Sequence, residues 1–203
     1  GLGDVYKRQD HADRHAFFRD QLTRLGVDSF LLSFGRAIID ASAGQVAAVK
    51  PQAAFFEGAT LAAPSVLQDL TRYAKSKGLL VILDAKRGDI SSTMHAYGRA
   101  SFDLIGADAL TVTPYLGVDV LQALRSWLSI DKGVYIVWRT SNPGGHAIQN
   151  EIEGAVLEEC RSDRDSMGLV AGATILDRIS TRLDDEMLLL PGVGQQGAQA
   201  DDK

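Results

Sequence analysis

The chain has 203 residues, about one domain by length, or one β/α barrel. Its 26 acidic residues against 21 Lys and Arg give a net charge of −5, which argues against nucleic acid as the main partner. A single cysteine, Cys160, rules out an internal disulfide and suits a reducing, cytoplasmic compartment, and no apolar run approaches the ~18 residues that would mark a membrane span.

Residues 1–9, Gly-Leu-Gly-Asp-Val-Tyr-Lys-Arg-Gln, carry no usable periodicity and read as a non-native leader. A single domain is expected over 10–203. Phe17, Phe18, Leu22 and Leu25 recur at helical spacing over 10–25. Asp28 and Ser29 are placed to cap a helix carrying Phe30, Leu31, Phe34, Ile38 and Ile39, and a short strand over 45–50 is stopped by Pro51. From there the pattern alternates. Helices are expected over 63–77, 92–105, 118–128, 147–160 and 175–183, and strands over 79–84, 109–113, 134–138, 169–172 and 187–190. Six short, uniformly apolar strands separated by helices predict βαβ units and a parallel sheet.

One stretch organises the rest. Leu79 to Leu83 are all apolar, as in a strand buried on both faces, and Asp84, Lys86 and Asp89 follow within six positions. On an extended backbone Asp84 and Lys86 leave the same face, and the chain can turn at Gly88 to return Asp89 toward the lysine. Ser91, Ser92 or Thr93 is placed to cap the next helix. A lysine between two aspartates keeps its charge, so it is a proton donor and a poor Schiff-base nucleophile. A structural ion network at a strand–loop junction is the competing reading.

The other strand ends are polar or rich in Gly and Pro: Lys50-Pro-Gln, Thr113-Pro-Tyr115, Arg139-Thr-Ser-Asn142 and Pro191-Gly-Val-Gly-Gln-Gln196. In a parallel barrel such ends converge on the catalytic face, and glycines 192, 194 and 197 let backbone amides approach an anion. His11, His15, His95 and His146 share no ligand spacing, so no metal site is expected. Trp127 and Trp138 are expected to pack, Tyr115 to pack or line the pocket, and Cys160, among Glu158, Glu159 and Arg161, to be incidental.

These four motifs, together with Asp84-Ala-Lys-Arg-Gly-Asp-Ile and Thr93 as the fifth, resemble the orotidine 5′-phosphate decarboxylase family in its bacterial branch. The resemblance covers about residues 28–198. It implies a (β/α)8 TIM barrel, a homodimer with active sites at the subunit interface, and conversion of orotidine 5′-monophosphate to uridine 5′-monophosphate and CO2 in pyrimidine biosynthesis. Neither metal nor organic cofactor is implied. By resemblance, Lys86 donates the proton to the carbon that loses CO2, Asp84 faces the departing carboxylate, and Lys50 completes the charge network. Asp89, Ile90 and Thr93 reach the neighbouring subunit's site, Ser141 bonds the pyrimidine edge, and Gly192, Gly194 and Gln196 hold the phosphate.

Two family features find no match. A Gly-Leu-Asp-Pro motif on the first strand has no counterpart before Asp28, and the phosphate-gripping arginine of the last strand would lie beyond Lys203. A barrel truncated at both ends is therefore expected, with about six of eight strands present, and an inactive fragment is one alternative. Another is a Mg2+-dependent barrel of the hexulose-phosphate synthase or ketogulonate-phosphate decarboxylase type. Its Asp-x-Lys-x-x-Asp would match, but the Lys50-Pro-Gln and Thr-Ser-Asn-Pro motifs fit it poorly.

Overall fold

A computed structural model of the chain describes residue 20, residues 23–178, residue 183 and residues 185–192. The expected leader, most of the helix over 10–25, the end of the helix over 175–183, and Gly194 and Gln196 lie outside the described residues.

The chain divides into two compact units, Gly1–Val49 with Ala53–Leu80, and Lys50–Gln52 with Val81–Lys203. The first contains α1 (Val27–Ser42), the two-residue strand β1 (Ala48–Val49), the short α2 (Ala53–Glu57) and α3 (Ala63–Ser76). Val66, Leu67, Leu70 and Ala74 repeat at helical spacing along α3 and are all buried. Asp28 and Ser29 do not cap α1. The helix begins one residue earlier, at Val27, with Gly26 at the cap, and Asp28 falls in the first turn. There its charge faces the amino-terminal helix dipole instead.

The second unit carries β2 (Leu80–Arg87, from Val81 onward), β3 (Ala109–Val112), β4 (Gly133–Arg139), β5 (Met167–Ala171) and β6 (Met187–Leu189). Strands β2 to β6 are hydrogen-bonded in chain order, and each of these ladders is parallel. Strands in sequence order with helices between them are the architecture of a truncated (β/α)8 barrel, with six strands among the described residues. In β4, Val134, Ile136 and Trp138 are essentially fully buried while Tyr135 and Val137 are half-buried. β3 and β5 are buried at every position, as continuous apolar runs in a parallel sheet require. Each fully buried Ile, Leu or Val contributes about 1.5–3 kcal/mol.

Several local expectations are corrected. The helix over 92–105 is α4 (Ser91–Gly98) followed by a π-helical turn, Arg99–Leu104, which lets the adjacent Ser101 and Phe102 both turn inward. That over 118–128 is a 3-10 segment, Val118–Leu124, running into α5 (Arg125–Leu128), with Val120, Leu121 and Leu124 buried. After β4, α6 (Gly145–Ser162) starts two residues early, and a 3-10 turn, Ala173–Arg178, follows β5. Ser91, Ser92 and Thr93 lie inside α4, which has Ile90 at its cap and no side-chain cap. Cys160, though set in a polar stretch of sequence, packs inside. It is fully buried, its thiol donates to Met167 O at 3.4 Å, and burial pushes its pKa up to about 11.

Candidate active site

The charged cluster forms where β2 ends. The chain after β1 runs beside it, with Asp84 N–H donating to Pro51 O at 3.0 Å, so Lys50 is carried to the carboxyl end of β2. Lys50 Nζ donates to Asp84 Oδ2 and Lys86 Nζ to Asp84 Oδ1, each at 2.6 Å. The Asp84 side chain is 5% exposed, against 30% for Lys50 and 42% for Lys86. Burial pushes the Asp84 carboxyl up, but the hydrogen bonds and charges of Lys50 and Lys86 outweigh it and hold the group below its ordinary value of 3.8. Two ammonium groups on one carboxylate leave an excess positive charge at the partly open end.

Lys86 does not reach Asp84 through a regular pleat. Its φ is +46°, in the left-handed region, and the β2–β3 register slips between Leu83, opposite Leu110, and Arg87, opposite Val112. Residues 84–86 therefore face Thr111 alone, in a bulge that turns the lysine back. Positive φ at a non-glycine residue costs about 1–3 kcal/mol and persists only where its surroundings hold it. Thr111 Oγ1 accepts hydrogen bonds from Ala85 N–H and Lys86 N–H, each at 2.9 Å, and donates to Asp84 Oδ1 at 2.9 Å. The ladder resumes where Thr113 N–H donates to Arg87 O at 2.8 Å. Gly88 is needed at that point: a Cβ there would lie 2.3 Å from Thr113 Cγ2 and 2.8 Å from Thr113 O.

Asp89 does not turn back to the lysine within its own chain. Its Oδ1 accepts from Ile90 N–H at 2.8 Å, because the amide entering α4 lies closer, and it makes no ion pair with Lys86 among the described residues. Ile90, 59% exposed, and Thr93, also exposed, stand on the same approach to α4. Ser141 lies in an exposed loop after β4, tied down by its neighbours. Thr140 N–H donates to Gln149 Oε1 at 3.0 Å, and Gln149 Nε2 donates back to Thr140 Oγ1 at 2.6 Å. Gly192 has φ +110°, a conformation glycine adopts freely. Trp138 and Trp127 are core residues, while Tyr115, 66% exposed, is not packed away in the core.

Among the described residues no group of three or more His, Cys, Asp or Glu is arranged to hold a metal ion. No described helix is long and apolar enough to cross a membrane. Thr111 is the site residue that sequence reasoning passed over. Its signal was a lone hydroxyl within the fully buried strand Ala-Leu-Thr-Val, where an unpaired polar group would be costly.

The family model described as "Orotidine 5′-phosphate decarboxylase / HUMPS family" matches residues 26–203. The chain belongs to this family. Its relatives include the orotidine 5′-phosphate decarboxylases of Roseiflexus sp. (strain RS-1), 42% identical over 183 residues, and of Ralstonia pickettii (strain 12J), 41% identical over 186. Those matches cover 83% and 85% of this chain and 65% and 67% of the relatives, so the chain spans about two thirds of their length. A Streptomyces avermitilis crystal structure assigned as an orotidine 5′-phosphate decarboxylase superposes with a TM-score of 0.78 at 35% identity. That match covers 89% of this chain and 70% of the other. In this family setting the Lys50–Asp84–Lys86 cluster stands at the carboxyl ends of barrel strands, where β/α barrels place their chemistry.

Proposed function

We propose that the full-length protein decarboxylates orotidine 5′-monophosphate to uridine 5′-monophosphate and CO2, without a cofactor, as a cytoplasmic homodimer with shared sites. The observation that carries this reading is a buried carboxylate clamped by two lysines, one of them half open. Breaking the bond to the carboxylate leaves its electron pair on the ring carbon. An ammonium fixed beside that carbon stabilises the charge, and Lys86 then gives it a proton, regaining one from water. Asp84 fixes Lys86 and faces the departing carboxylate, with Lys50 balancing its charge. Ser141 bonds the pyrimidine edge. Gly192, Gly194 and Gln196 hold the phosphate, whose binding energy orients the ring. Asp89, Ile90 and Thr93 extend into the neighbouring subunit's site, and the exposure of Ile90 and Thr93 supports this. A monomer by sedimentation would remove that part of the reading.

The family description also covers HUMPS proteins, and resemblance makes Mg2+-dependent barrels the rival. Against that rival, one Asp84 oxygen carries Lys50, and the other carries both Lys86 and Thr111. The deciding experiment follows loss of orotidine 5′-monophosphate absorbance with purified full-length protein, with and without chelator. Chelator-insensitive turnover is expected. No turnover, or turnover of a sugar phosphate only with Mg2+, sinks the decarboxylase assignment.

A further inference from the structure

We propose that Thr111 is the positioning residue of this site: a single hydroxyl that sets both the carboxylate and the backbone from which Lys86 is presented. The inference rests on the decarboxylase reading for its kinetic consequence, though not for its geometry. A threonine hydroxyl has one proton to donate and two lone pairs to accept with, and at Thr111 all three are engaged. The two acceptances come from consecutive amides, Ala85 and Lys86, inside the bulge where β3 has one residue against three of β2. The Thr111 side chain thus supplies an acceptor that the slipped ladder withdraws. Its donation fixes Asp84 Oδ1, the oxygen that also receives Lys86 Nζ. The lysine is held at both ends, by its own amide and through its carboxylate partner.

Burial makes the arrangement exacting. Thr111 is 0% exposed and Asp84 is 4% exposed, so water has no room to replace a lost bond without repacking β3. Removing the hydroxyl frees the left-handed conformation at Lys86 to relax, moving the ammonium while leaving the groups proposed to bind substrate in place. Misplacement on the order of an ångström costs about a hundredfold in rate. The loss should fall on kcat rather than on KM.

The molecule supplies its own control. Thr71, on α3, is 3% exposed, and its Oγ1 has no hydrogen-bond partner among the described residues, so Thr71→Val removes a buried hydroxyl that holds none of them. The test compares Thr111→Val, Thr111→Ser and Thr71→Val in the full-length protein, by steady-state kinetics on orotidine 5′-monophosphate and amide hydrogen exchange. Thr111→Val should lower kcat about a hundredfold with KM within about threefold. Exchange at Ala85 and Lys86 should speed by about tenfold or more. Thr111→Ser, which keeps the donor and both acceptors, should restore each to near wild type, and Thr71→Val should change neither. If Thr111→Val does not fold, Thr111→Cys, close in volume with a weak thiol donor, takes its place with the same expectations reduced. Kinetics within about threefold of wild type in the hydroxyl-free variant, or equal losses in the Ser and Val variants, overturn the proposal. Should the wild type show no turnover, the decarboxylase reading falls by itself, and unchanged exchange at Ala85 and Lys86 would then overturn this one too.

Discussion

The strands of the second unit carry an aspartate–lysine pair at each end, and the two differ in burial, partners and backbone. At the amino-terminal end, Asp108 accepts from Val81 N–H at 3.0 Å and pairs with Lys132 at 3.3 Å. Lys132 also donates to Ala107 O at 2.8 Å. The Asp108 and Lys132 side chains are 17% and 19% exposed, and these bonds tie the start of one strand to its neighbour. At the carboxyl end, Asp84 serves two lysines, and Lys86 remains 42% exposed on a left-handed residue. Residue types alone would not separate the two. A closed, backbone-directed pair fastens a sheet, whereas an open one that sets two lysines on one carboxylate beside a strained residue is what the proposed chemistry requires.

Substitution at the two ends should expose the contrast. The largest effect is expected for Lys86→Ala in the full-length protein: turnover falls by about a thousandfold or more, with the melting temperature within about 3 °C of wild type. Retention of a substantial fraction of the rate would end the proton-donor assignment. Asp84→Asn comes next, because it leaves two lysines facing a neutral amide. The rate should drop by about a hundredfold or more, and the pH dependence of stability should change with it. The Asp84 carboxyl titrates below its ordinary 3.8 in the folded state, so its stabilisation is present above that value and is lost as pH falls through the depressed one. Wild type should lose more stability on acidification below about pH 4 than Asp84→Asn, and parallel denaturation curves would contradict the lowered titration.

The smallest effect belongs to the fastening pair. Lys132→Ala removes one partner of Asp108 and a donor to Ala107 O, and should cost about 1–2 kcal/mol by denaturant unfolding, with kcat and KM unchanged. A loss of turnover without a loss of stability would erase the distinction between the two ends.

Much of the fold was legible from periodicity. Apolar runs of four or five residues, alternating with amphipathic stretches, placed all six described strands within a few residues, although only β3 and β5 prove buried at every position and Leu80 of β2 is 56% exposed. Helix texture was less legible. The π-helical turn at Arg99–Leu104 and the 3-10 segment at Val118–Leu124 follow from which neighbours must turn inward, and Ser101 beside Phe102 says nothing of that in sequence.

For the site, Asp84 and Lys86 could be named from residue type and spacing, since two charges at the mouth of an apolar strand must find partners, whereas Lys50 was named only through the family resemblance. Lys50 stands 34 positions from Asp84, and their meeting depends on the pairing of Gln52 with Asp84. Spacing suggested a regular strand and a returning Asp89. Only the tertiary structure put a bulge at 84–86, turned Lys86 to positive φ and gave Asp89 to the Ile90 amide. Register is decided by the neighbouring strand rather than by the segment itself, and here one buried hydroxyl of that neighbour, Thr111, answers two amides and a carboxylate at once. The sequence determined which charges had to be reconciled at the end of β2; the strand packed beside it decided their geometry.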